Sequence, residues 1–247
     1  MKSLKSRFLL GALAFQLVSY SQTQSERETE DSHAQQLLTK ARIGMSRGDY
    51  GSAIKLLEQA LQLGSTNPMQ LFIDQDFQPL VDHPDHRRRV RTLVKQHATE
   101  SAAKMVRDNE PGLRIFVQGQ ILGERDGTPI PNASVELVHT DEKGRYFEEA
   151  SPWNPRIFAY LRTNTNGKFS VETIMPGRYR DDSGDLSYSH IHFAVQATGF
   201  RHYNSEFAFE DDPILRKQGN PDSVPIALLQ DHSGERQYHV VIRLSRD

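Results

Sequence analysis

Four side chains in the middle of the chain could share one ion. They are Tyr146 in Gly144-Arg145-Tyr146, Tyr179 in Pro176-Gly177-Arg178-Tyr179, and the pair His190 and His192 in His190-Ile191-His192-Phe193. On a strand successive side chains alternate faces, so the two imidazoles stand side by side and Ile191 turns away. Two phenols and two imidazoles that converge suit a hard, oxidised metal. The sequence contains no cysteine, which removes zinc–thiolate sites, iron–sulfur clusters, disulfides and thiol nucleophiles. A metal here must be held by His, carboxylate or Tyr. No nucleophilic-serine motif, phosphate-cradling glycine loop or paired zinc motif competes with that reading.

Strands must position these groups. From Leu113 onward the hydrophobic period is two. Strands are expected over Arg114–Ile121, Ala133–Val138, Phe158–Thr163, Lys168–Ile174, His190–Gln196 and Tyr238–Leu244, each bounded by Gly, Asn, Asp or Pro. Short strands without helices between them predict an antiparallel β-sandwich over 113–247, a mainly β fold. Tyr146 then closes a turn after one strand, Tyr179 follows another, and the histidines sit on a third, so all four gather at one end. The stretch from Asn204 to Gln230, with its prolines, is expected to be irregular and to wrap an edge or mouth. His139 is expected at the surface at a strand end, and Trp153 and Tyr160 in the core or pocket wall.

Ahead of the strands, 33–110 reads as a small all-α section. Ala34, Leu37, Leu38 and Ala41, then Ala53, Ile54, Leu57, Ala60 and Leu61, recur at helical spacing around a Gly48-Asp49-Tyr50 turn. This resembles a single tetratricopeptide-type hairpin, which cannot form a solenoid without neighbours. A longer helix is expected from about Asp85 to Val106, with the arginines at 87, 88, 89 and 91 on a solvated face. The helical section is expected to pack on the rest of the protein or to form a homodimer.

At the start, Lys2, Lys5 and Arg7 precede a short apolar run from Phe8 to Val18 and the small residues Ser19-Tyr20-Ser21. That pattern predicts a signal peptide over 1–21, a flexible leader over 22–32, and an exported protein with no membrane span after cleavage. A net charge of −2 gives no electrostatic case for nucleic acid. Charged residues at 25% and hydrophobic ones at 36% describe an ordinary globular chain rather than a disordered one.

The strand section carries a family resemblance. Pro129-Ile130-Pro131-Asn132-Ala133, Asp141-Glu142-Lys143-Gly144-Arg145-Tyr146, Leu161 through Phe169, Thr173 through Tyr179, His190-Ile191-His192-Phe193 and Phe209-Glu210-Asp211-Asp212-Pro213 follow the order and spacing of the intradiol ring-cleavage dioxygenases. The resemblance implies a non-haem Fe(III) held by Tyr146, Tyr179, His190 and His192, with Tyr146 and His190 equatorial and Tyr179 and His192 axial. It implies a small aromatic diol and O2 as substrates, a muconate-type diacid as product, and Tyr179 as the phenolate displaced by the incoming diol.

Two positions depart from the family pattern. The family carries an arginine three residues before the first His, where this chain has Ser187; Arg178 or Arg180 of the neighbouring loop is the candidate to supply that charge. Glu206 stands where the family has glutamine, and an acid facing the pocket disfavours carboxylate-bearing substrates. The rival class is a non-enzymatic β-sandwich binding module of the transthyretin or carboxypeptidase-regulatory type, which shares the Gly127-Thr128-Pro129-Ile130-Pro131-Asn132-Ala133 style of turn and strand. Such a module has no need of all four tyrosine and histidine positions.

Overall fold

The computed structural model describes residues 27–64, 66–146, 154–181, 183–219, 221, 223–232 and 235–247. The expected signal peptide, residues 22–26 of the expected leader, and Trp153 lie outside the described residues. Two compact units divide between Thr66 and Asn67. The boundary therefore falls inside the section expected to be one helical body over 33–110, because its later helices pack with the sheet.

In the first unit a helix, α1, covers 27–46, so residues 27–32 are helical rather than a flexible leader. Helix α2 (Tyr50–Gln62) follows a tight turn in which Gly48 N donates to Met45 O and Asp49 N to Gly44 O. The Asp49 carboxylate caps α2 by accepting from Ser52 N. Ala34, Leu37, Leu38 and Ala41 of α1, and Ala53, Ile54, Leu57, Ala60 and Leu61 of α2, are all buried, as their spacing predicts.

The second unit opens with α3 (Pro68–Ile73), a 3-10 turn at Gln75–Phe77, α4 (Gln78–Asp82) and α5 (Pro84–His97). The strands are β1 (Ala102–Lys104), β2 (Arg114–Gly123), β3 (Ser134–His139), β4 (Ile157–Arg162), β5 (Lys168–Ile174), β6 (His190–Gln196), β7 (Tyr203–Phe209), β8 (Ile226–His232) and β9 (Glu235–Leu244), with α6 (Pro213–Gln218) between β7 and β8. All six strands expected from the periodicity are present. The helix expected to reach Val106 ends at His97. Residues Ala102–Lys104 instead pair with β5, where edge hydrogen bonding outweighs a marginal helical pattern.

The strands form one continuous sheet in the order β1-β5-β2-β9-β8-β7-β6-β3-β4. This corrects the antiparallel expectation: β1 with β5, β2 with β9, and β7 with β8 run parallel, so the sheet is mixed. It also curls. His139 at the end of β3 reaches Thr173 on β5, near the other end of the strand order, through a 2.6 Å contact of its Nε2 with Thr173 Oγ1. His139 is therefore a buried cross-link, not a surface residue; its Nδ1 lies 2.7 Å from Thr140 O.

The alternating strands bury Ile115, Val117 and Ile121 of β2, Val135 and Leu137 of β3, Ile191, Phe193 and Val195 of β6, and Val240 and Ile242 of β9. The opposite face of β4 packs against α5, and Arg91 of α5 reaches Glu136 on β3. That explains why β4 shows no alternation: all but its last residue are buried. Arg87, expected at a solvated helix face, is 2% exposed. It donates to the carbonyls of Val81, Asp82 and Asn154, tying α5 to the chain beside β4.

Candidate metal centre

Both tyrosines sit on turns that need glycine. Asp141 Oδ1 accepts from Lys143 N and Arg145 N, and Oδ2 from the Arg145 guanidinium, which folds the 141–146 turn that delivers Tyr146. The 141–146 and 177–179 turns then meet backbone to backbone: Gly177 N donates to Asp141 O at 2.9 Å. Thr140 Oγ1 donates to Gly177 O at 2.7 Å. A Cβ on Gly144 (φ 78°) would collide with Arg178 O, and one on Gly177 with Gly144 N. The glycine two residues before each tyrosine is what lets the two phenols approach.

Those phenols converge on one nitrogen. Tyr146 Oη lies 3.3 Å and Tyr179 Oη 3.1 Å from His190 Nε2. His190 Nδ1 donates to Tyr188 O at 2.8 Å, so Nε2 keeps its lone pair and faces the phenols. His192 completes the group, its ring 4.8 Å from that of His190 and 5.8 Å from that of Tyr146. Ile191 is fully buried on the other face, as strand alternation requires.

Burial shifts two of the four side chains toward their uncharged forms. Burial pushes Tyr146 well above the usual phenol range, with the Tyr179 hydroxyl and the Glu206 charge adding to the shift. Burial, reinforced by neighbouring His190, holds His192 below its ordinary value, so its imidazole stays neutral and able to donate. A bound cation would reverse the penalty on the phenolates. The donor set, two phenol oxygens converging on one imidazole nitrogen with a second imidazole beside it, fits a ferric ion.

The other expected residues divide. Glu206 lies directly across from His192 in the β6–β7 register, with Oε2 3.5 Å from His192 Nδ1 and 3.8 Å from His190 Nε2. Ser187 spends its hydroxyl on the backbone, accepting from Tyr179 N at 3.2 Å, while its own N donates to Tyr179 O at 2.8 Å. Arg178 pairs with the buried carboxylate of Asp212, and Arg180 donates to Gly184 O from an exposed position. Neither of those contacts is with the four-residue cluster. Arg178 instead steadies it from behind: Asp212 Oδ2 also accepts from Ser189 N, beside His190, and Oδ1 caps α6. Tyr160 is buried, with its hydroxyl on Glu136 Oε1 at 2.9 Å.

Tyr188 was not singled out by the sequence. It contributes its carbonyl to His190, packs its ring edge-on to the same imidazole, and donates its hydroxyl to Glu206 Oε1 at 2.5 Å. Its position two residues before His190, on the same strand-like alternation, was the available signal.

A cleft of about 610 Å³ opens beside His192 and Glu206. Val138, Ala194 and Val224 give it apolar walls. Arg91, which also lines it, bridges Glu136 (2.9 Å) and Tyr160 (3.1 Å), and Lys95 reaches the second oxygen of Glu136 at 3.1 Å. Helix α5 thus furnishes one wall of the cleft. The volume suits a single small aromatic molecule.

A model of the dioxygenase family matches residues 87–222. Catechol 1,2-dioxygenase 2 of Acinetobacter lwoffii is 31% identical over 133 residues, covering 47% of this chain and 47% of that protein. Chlorocatechol 1,2-dioxygenase of Rhodococcus opacus is 24% identical over 187 residues, 65% of this chain and 72% of its own. The chain spans about half the length of the catechol 1,2-dioxygenases it matches. In fold it is similar to hydroxyquinol 1,2-dioxygenase from Pseudomonas putida DLL-E4, with a TM-score of 0.50 at 17% identity over 61% of this chain and 62% of that one.

Proposed function

Since the chain belongs to the intradiol dioxygenase family, we propose that it cleaves catechol-type rings with O2 at a non-haem ferric centre formed by Tyr146, Tyr179, His190 and His192. The observation that carries this reading is the convergence of both phenols on His190 Nε2 while Nδ1 is occupied by Tyr188 O. A binding module has no use for that arrangement.

A ferric ion, when bound, supplies the Lewis acidity that ionises phenols and diols and makes the electron-rich diol reactive toward O2. The chain's own residues do the rest. Tyr146 and His190 hold their donor atoms fixed through the 141–146 turn and the Tyr188 carbonyl. Tyr179 Oη is the group that moves, accepting a proton from one substrate hydroxyl as the diol enters. The two Ser187 contacts hold the Tyr179 backbone, so the movement is confined to its side chain. The apolar walls of Val138, Ala194 and Val224 orient the ring and exclude water. Both oxygen atoms enter the product, whose ring opens between the hydroxyl-bearing carbons to a muconate-type diacid.

Oxygen uptake tests the activity. Iron-loaded protein given catechol is expected to consume one O2 per catechol, with a muconate-type absorbance appearing in step. Iron-loaded protein that takes up no oxygen with catechol, hydroxyquinol or chlorocatechols contradicts the reading.

The remaining roles belong to the same proposal. Residues 1–21 direct export, and mature protein is expected to begin after Ser21, which N-terminal sequencing checks. No helix among the described residues is long and apolar enough to cross a membrane. The α1–α2 hairpin, similar to one tetratricopeptide unit, serves as the surface of a homodimer.

A further inference from the structure

The group around His190 and His192 contains a donor beyond the two phenols and two imidazoles. Glu206 Oε2 stands 3.5 Å from His192 Nδ1 and 3.8 Å from His190 Nε2. Two donors each about 2.0–2.2 Å from one ion lie roughly 2.8–3.8 Å apart when the angle between them is about 90–120°. The phenol oxygens, at 3.1 and 3.3 Å from His190 Nε2, fall in the same range. Ligand atoms of His190, His192 and Glu206 all lie within 4.8 Å of one another. Oε1 is already used, accepting the Tyr188 hydroxyl at 2.5 Å, which leaves Oε2 turned toward the imidazoles.

We propose that Glu206 is a direct carboxylate donor to the metal of this centre, and that Tyr188 is the positioning residue that aims it. This rests on the ferric reading above. Two phenolates leave a ferric ion one negative charge short of neutrality. A carboxylate supplies that charge from the protein, without a hydroxide, in a half-buried site where an uncompensated charge is costly. The extra charge favours a trivalent over a divalent ion and lowers the reduction potential. Glu206 also lines the cleft, so the same charge turns away rings bearing a carboxylate. Uncharged or cationic catechols are the substrate class that fits.

The test compares full-length, iron-loaded wild type with Glu206→Gln, which keeps the size and removes the charge. Each is titrated with a competing ferric chelator while the phenolate-to-iron absorption is followed, and the ferric/ferrous midpoint is measured. The variant is expected to release iron at a chelator concentration about tenfold lower or more, with a higher midpoint. Tyr188→Phe keeps the carboxylate but loosens its aim, and is expected to shift both readouts the same way by less. Glu206→Gln with unchanged iron retention and midpoint overturns the proposal. If Glu206→Gln fails to fold, an unchanged Tyr188→Phe overturns it instead. Wild type that takes up no ferric iron contradicts the metal centre itself, a separate outcome.

Discussion

At the scale of single residues, chemistry follows from which proton each buried group keeps. His139 is the clearest case. Burial lowers its pKa from the ordinary 6.5 to about 4, outweighing the opposing pull of its hydrogen bond to Thr140 O. Below pH 6.5 the unfolded chain takes up a proton that the folded chain refuses until about pH 4. Its contribution to stability is therefore complete above pH 6.5 and lost as pH falls, by up to about 1.4 kcal/mol per pH unit. Urea midpoints measured from pH 7.5 down to 4.5 are expected to fall more steeply for wild type than for His139→Gln; equal slopes would refute the assignment. The juxtaposition of Tyr146, Tyr179, His190 and His192 was legible because type and spacing both spoke: phenols after Gly-Arg and imidazoles two apart. Arg178 was less legible. Its charge suggested a catalytic place, but a carboxylate that is distant in sequence, Asp212, claims it.

At the scale of elements, the centre depends on turns meeting rather than on any one strand. Gly144→Ala places a side chain at positive φ and against the Arg178 carbonyl. It is expected to cost about 1–3 kcal/mol and to lower iron content, read together by thermal melting and metal analysis. Undiminished iron content would show that the turn spacing does not set the site. Helix α5 is fixed through Arg87, whose three carbonyl partners lose their donors in Arg87→Met. A loss of about 2–4 kcal/mol is expected, measured as a drop in denaturant midpoint at unchanged slope. The solvated-face expectation failed at Arg87 because sequence does not show that α5 lies across the sheet. The region from 204 to 230 reads as irregular because β7 changes its surroundings midway. Its first half, Tyr203 to Glu206, runs beside the cleft and stays polar, while Phe207, Ala208 and Phe209 are buried throughout, so no period of two survives.

At the scale of the whole molecule, the sheet expected as an antiparallel sandwich is a mixed sheet that curls until β3 meets β5. Six strand locations were legible from local periodicity, while β1, β7 and β8 were not. Parallel pairing was not, because it depends on partners such as β2 and β9 that are distant along the chain. The division at Thr66 predicts that a chain starting at Asn67 keeps every residue of the centre. That fragment is expected to fold and bind iron but to run as a monomer by light scattering; a fragment that stays dimeric would remove the hairpin as the dimer surface. The central claim is that Tyr146, Tyr179, His190 and His192 hold ferric iron. Visible absorption on adding ferric iron to purified apo-protein tests it most directly. A phenolate-to-iron band is expected to saturate at one iron per chain, and Tyr146→Phe is expected to lose both band and iron. A wild-type protein that stays colourless, or a Tyr146→Phe variant with the full wild-type band, would contradict it.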